Sequence, residues 1–150
     1  MTRITSVAEA EKTVDEVSAL IDKLTALMQE EMALVHAGRV RKAATLGEAK
    51  SALAGALYVG GERLKANADF VRRAAPARCA VLQNLQEKFR AVLQKNMVVL
   101  ATAHAVSEGI VRRLSGDLAR KAAPQVYGST GRATAPNPRH GRPLAISRTL

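Results

Sequence analysis

Apolar residues recur three or four apart through Val7, Ala10, Val14, Val17, Ile21, Leu24, Met28 and Val35. That period follows the α-helical turn and lines these side chains up as the a and d positions of a heptad. Leu20, Leu27 and Leu34 lie beside the seam at g and widen it. A stripe this wide suits a bundle face better than a two-stranded zipper. The spacing predicts a helix over about 6–37, with Gly38 as its natural stop.

A second helix is expected over about 40–73. Its seam reads Ala43, Leu46, Lys50, Leu53, Leu57, Gly60, Leu64 and Val71. It is weaker than the first, because Lys50 occupies a seam position and Gly60-Gly61 interrupts the middle. Each glycine costs up to ~1 kcal/mol relative to alanine in a helix. The pair reads as a kinked or close-packed helix, or as a hinge. Ala74-Ala75-Pro76-Ala77 then breaks the chain, and Pro76 suits the first turn of a new helix. The third helix, about 76–121, carries Leu82, Leu85, Phe89, Val92, Asn96, Val99, Ala103, Val106, Ile110 and Leu114 at heptad spacing. Together these segments predict an all-α fold. The expected architecture is an elongated antiparallel helical bundle or coiled coil of about three long helices, occupying residues 1–123.

The remaining residues, 124–150, form the expected flexible basic C-terminal tail. They include Pro124, Pro136, Pro138 and Pro143, together with Gly128, Gly131 and Gly141, and no acidic residue. Ordering each residue costs ~1–2 kcal/mol of backbone entropy. The few apolar groups do not offset that, so the free tail is expected to be disordered. Leu144-Ala145-Ile146 is its one sticky cluster.

Charge is unevenly distributed. Residues 1–38 carry three basic and seven acidic side chains, and residues 39–150 carry 20 basic and 6 acidic. Such asymmetry points to a nucleic-acid or membrane partner, or to charge matching between neighbouring helices. The basic residues after Arg39 do not line one helix face, and many can pair with the acidic first helix. Only Tyr58, Phe70, Phe89 and Tyr127 are aromatic, a poor set for stacking bases. Zinc-finger and RNP signatures are absent. Nucleic acid is therefore a disfavoured partner.

No run of 18 apolar residues is present, which argues against membrane insertion. The start leads directly into Glu9, Glu11 and Asp15, where a secretory signal needs an apolar stretch. The lone Cys79 suits a reducing compartment. A cytoplasmic location is the expectation.

Catalysis finds little support, and neither a cofactor nor a metal is called for. His36, His104 and His140 lie in separate regions, with no HExxH, CxxC, GxGxxG or GK[ST] pattern. Glu30 and Glu31 are adjacent, but neighbouring helical residues point in different directions. Asn96 sits on the seam between Val92 and Val99. It is satisfied by a neighbouring backbone group or water, or it makes a specificity contact, within the bundle or to a partner helix.

In several places the chain resembles the FlgN-type flagellar type III export chaperones. Glu30-Glu31 and Leu34 match that family's Glu-rich turn before a small break. Glu48, Lys50 and Leu53 resemble its EK..L pattern, and Gly61-Glu62-Arg63-Leu64 its following Arg-Leu stretch. Asn96 falls where the family tends to carry an Asn, although Met97 replaces the usual following Gly. The best match is Tyr127-Gly128-x-x-Gly131-Arg132, similar to a YGxxG motif at the helix–tail junction.

The resemblance implies a cytoplasmic chaperone that binds the C-terminal helical ends of hook–filament junction proteins, prevents their premature assembly and delivers them to the cytoplasmic domain of the flagellar export gate. By the same resemblance, Asn96, Val99, Val106, Ile110 and Leu114 would contact the protein substrate. Tyr127, Gly128 and Gly131 would dock at the gate. The alternative is a basic helical nucleic-acid-binding protein or a coiled-coil adaptor. An exposed apolar stripe on a lone three-helix chain could equally be satisfied by homodimerisation.

Overall fold

The computed structural model describes residues 3–122, and every regular element among them is an α-helix. In chain order these are α1 (Val7–His36), α2 (Val40–Thr45), α3 (Gly47–Ala66), α4 (Ala68–Ala74) and α5 (Pro76–Ala122). Tyr127, Gly128, Gly131 and the rest of the expected tail lie outside the described residues. The described residues divide into two units, one ending at Ala105 and the other beginning at Val106. The division falls within α5, and the 123/124 boundary read from the sequence lies outside the described residues.

Both ends of α1 are closed by side-chain or backbone chemistry. Ser6 is extended, and its Oγ accepts the Glu9 N–H at 3.2 Å. The Glu9 carboxylate reaches back to the Thr5 N–H at 3.3 Å. Together these satisfy donors that a helix start leaves free. At the other end Gly38 has φ +71°. Its N–H bonds the Val35 carbonyl at 3.0 Å and the Arg39 N–H bonds that of Leu34 at 2.8 Å. This is a Schellman closure, whose left-handed position favours glycine.

The buried face of α1 is Ala10, Thr13, Val14, Val17, Ile21, Leu24, Met28 and Glu31. Six of the eight expected seam residues are therefore in the core. Val35 is half-buried, as are Leu20, Leu27 and Leu34 at g. Val7, at the first helical position, is exposed. Thr13 is buried without a stranded hydroxyl, because its Oγ1 donates to the Glu9 carbonyl at 2.8 Å.

The single helix expected over 40–73 is instead three helices. Near Leu46 the turn tightens: the Leu46 N–H bonds the Ala43 carbonyl, three residues back, at 3.1 Å. Thr45 Oγ1 donates to the Lys42 carbonyl at 2.8 Å, competing with the helical ladder. Asn67 makes the second break, with φ −119° and ψ 20°. Its Nδ2 donates to the Arg63 carbonyl at 2.9 Å, and its Oδ1 accepts the Ile4 N–H at 3.0 Å. Ile4 is itself buried, so this break also anchors the chain ahead of α1.

Three pairings set the direction of α3. Lys50 meets Glu31, Gly60 meets Val17, and Arg63 Nη2 meets Glu9 Oε1 at 2.6 Å. Numbers rise on one helix as they fall on the other, so α3 runs antiparallel to α1. At Gly60 the two approach closely: a Cβ there would lie 2.8 Å from Val17 Cγ2. It is a close-packing glycine.

Within the first unit α5 starts with Pro76, whose missing N–H has no helical partner to lose. Arg78 pairs with Asp15 and Glu11, and Asn96 reaches Met28 and Glu31. Here numbers rise together, so this part of α5 runs parallel to α1. The bond to Asp15 holds the Arg78 guanidinium above its ordinary pKa, with Glu11 adding to the effect. Ile4, Ala10, Val14, Val17, Ile21, Val71 and Leu82 form the core, with Leu57, Leu64, Phe70 and Phe89 packed against it. Burying each large aliphatic is worth about 1.5–3 kcal/mol before chain entropy. Cys79 is a half-buried part of this packing, its Sγ 3.8 Å from the Val71 carbonyl.

The described part of the second unit is the helical segment 106–122. Its charged face carries local pairs, Arg112 with Glu108 at 3.9 Å and Arg120 with Asp117 at 2.8 Å.

Candidate functional site

Two features of the molecule depart from plain helix packing. The first is a polar layer inside the first unit. Glu31 occupies the seam position one heptad after Leu24, and its side chain is only 6% exposed. Lys50 Nζ lies 2.7 Å from both of its carboxylate oxygens. Asn96 Nδ2 lies 2.7 Å from Glu31 Oε2 and 3.3 Å from the Met28 carbonyl. Three helices thus each contribute one polar seam residue, and the three meet. A buried carboxylate held by a cation and an amide is satisfied only in one alignment, so the layer fixes register. It is structural in character, and the amide of Asn96 is engaged within the bundle.

The second feature is an apolar stripe on the helical segment 106–122. Val106, Ile110, Leu114 and Leu118 follow one another every four residues, and Val111 lies beside them. At 3.6 residues per turn they share a face about 140° wide. All five are exposed, Val106 at 57%, Ile110 at 54% and Leu114 at 57%. Upstream the same seam is covered: Leu82 and Asn96 are buried, and Leu85, Phe89, Val92, Val99 and Ala103 are half-buried. A run of large apolar side chains left in water is the mark of a surface that meets something else.

The residues singled out in the sequence separate accordingly. Val106, Ile110 and Leu114 sit together on the exposed stripe. Asn96 is in the polar layer and Val99, three residues on, is half-buried, so these two do not join the stripe. Met97, beside Asn96, is exposed. Of the other residues carrying the resemblance, Glu30 and Glu48 are exposed, Lys50 joins Glu31, Arg63 pairs with Glu9, and Leu64 packs against the core. No group of acidic, histidine or cysteine side chains suited to a metal ion is present among the described residues. No helix among them is long and apolar enough to cross a membrane.

Sequence reading missed Glu31 as a core residue, taking it only as one of two adjacent acidic side chains that point in different directions. The signal was present: the α1 seam skips from Met28 to Val35, and the skipped heptad position is Glu31. Leu118 and Val111 were also missed as members of the stripe.

No protein-family model matches the chain, and no solved structure matches it. Among curated proteins it is similar to the flagellar basal-body protein FlbY of Caulobacter vibrioides, with 27% identity over 141 residues. The match covers 93% of this chain and 95% of that protein. The likeness is therefore to a whole flagellar protein of similar length, running through both units.

Proposed function

We propose that this chain is a flagellar export chaperone. It binds the C-terminal helical ends of hook–filament junction proteins, keeps them from assembling early and hands them to the cytoplasmic domain of the export gate. The observation that carries the reading is the exposed stripe of Val106, Ile110 and Leu114, extended by Leu118. An amphipathic helix is the natural complement of such a stripe, meeting it through anchors at i, i+3/i+4 and i+7. The full-length likeness to a flagellar protein supports the cellular setting.

In this reading Val106, Ile110, Leu114 and Leu118 hold the substrate helix. Asn96 acts indirectly, by locking α5 in register through Glu31. Tyr127, Gly128 and Gly131 take the gate-docking role that the FlgN-type resemblance implies. Tyrosine is a rigid amphipathic side chain of the kind that dominates small interfaces. The protein works in the cytoplasm, without a cofactor and without catalysis.

The test is co-elution on size exclusion at moderate salt. The full chain is mixed with C-terminal fragments of the junction proteins of its own organism, with flagellin as control. A discrete complex with a junction fragment and none with flagellin supports the assignment. Failure to form a complex with any junction fragment refutes it.

A further inference from the structure

The first unit contains a groove of about 580 Å³ whose floor is Val17, Ile21, Leu57, Val71, Leu82 and Phe89. Lys65, Arg72 and Arg90 stand at its edge, with Gln83 and Gln86, and no carboxylate lines it. The three basic residues come from α3, α4 and α5, so three helices place positive charge around one apolar trough. Elsewhere in this unit the cations that face α1 are paired: Lys50 with Glu31, Arg63 with Glu9, Arg78 with Glu11 and Asp15. Arg72 and Arg90 have no carboxylate partner among the described residues, and Lys65 has only Glu62, at 3.7 Å and with its side chain 80% exposed.

We propose that this groove is a docking site for an acidic amphipathic helix of another protein. The floor takes the apolar anchors of the helix, and the basic edge takes its flanking carboxylates. Charge argues against an occupant from this chain. Residues 124–150 carry four arginines and no acidic residue. The acidic part of the sequence is α1, and its apolar face is already the core. The groove uses no residue beyond Leu93, so the proposal stands apart from the stripe and from the chaperone reading.

Gly61 offers a clean way to close the groove. It lines the trough, and a Cβ built on it meets nothing within 4 Å. A leucine there projects into open space and favours helix over glycine. Arg72 and Arg90 are exposed, so their reversal to glutamate leaves the core intact.

The probe is a synthetic helical peptide with leucine at i, i+3, i+4 and i+7 and glutamate at flanking positions. Its control has lysine in place of glutamate. Binding is read by fluorescence anisotropy on the full chain carrying Ile110→Asp/Leu114→Asp, which keeps the peptide off the exposed stripe, with circular dichroism as the check on folding. The acidic peptide is expected to bind at least about tenfold tighter than its lysine control, and about tenfold weaker to Arg72→Glu/Arg90→Glu. In that background Gly61→Leu should abolish binding with helicity unchanged. Equal binding of the two peptides overturns the proposal, as does full binding to Gly61→Leu. A concentration-dependent dimer that Gly61→Leu removes assigns the groove to a second copy, and overturns it as well.

Discussion

Lys50 Nζ is held 2.7 Å from each carboxylate oxygen of Glu31, and Asn96 bonds the same carboxylate from α5. The pair joins α1 to α3 near one end of the first unit, at a position where a leucine would serve an ordinary heptad. Such a layer contributes alignment more than net stability, since desolvating the charges offsets much of their attraction.

Lys50→Met leaves the Glu31 carboxylate buried with only Asn96 to hold it. The expected loss is about 2 kcal/mol in urea unfolding, less than for a fully buried pair because Lys50 keeps part of its side chain in water. Replacing all three residues together, Glu31→Leu, Lys50→Met and Asn96→Leu, should return stability to within about 1 kcal/mol of the parent or exceed it. Lys50→Met unfolding at the parental urea midpoint would show that the buried Glu31 carboxylate does not depend on Lys50.

The adjacent glycines Gly60 and Gly61 should respond with opposite signs. Gly60→Ala drives a methyl to 2.8 Å from Val17 Cγ2, so the stiff, buried valine or the helix itself must shift. A net loss of about 1–2 kcal/mol is expected, and Val17→Ala should cost less in the Gly60→Ala background than in the parent. Gly61→Ala faces open space and should stabilise the fold by up to about 1 kcal/mol. Thermal melts of the parent and these variants check this, and equal shifts for the alanines at Gly60 and Gly61 would contradict it.

Much of the fold was legible because helical periodicity is a local property. The α1 seam from Ala10 to Met28, the stop at Gly38 and the start of α5 at Pro76 all follow from spacing, capping and proline chemistry. The breaks at Leu46 and Asn67 were not legible. Asn67 leaves the helix where its side chain bonds Ile4, 63 residues away, a partner that no local pattern announces. The core role of Glu31 was not legible for a related reason. A charged residue on a seam is uninformative alone, and becomes a core residue only when Lys50 and Asn96 arrive from other helices. Within the candidate site, Val106, Ile110 and Leu114 were visible as a continuing seam. That this seam emerges into water after Ala103 depends on what packs against it.

The gate-docking role assigned to Tyr127 separates from substrate capture. Tyr127→Ala should bind a junction-protein fragment with parental affinity while losing about tenfold or more in affinity for the cytoplasmic domain of the export gate. Paired titrations against the two partners measure this. Parental gate affinity in the variant would remove the role.

The most direct measurement on the central claim is the affinity of a junction-protein C-terminal fragment for the parent and for Ile110→Asp/Leu114→Asp. Both side chains are more than half exposed, so the substitutions leave the helix and the first unit folded. If the stripe holds the substrate helix, the double variant should lose about 2 kcal/mol or more, roughly thirtyfold in Kd, with unchanged helicity. Parental affinity in the double variant would contradict the account, because the apolar face would then have no part in holding the substrate.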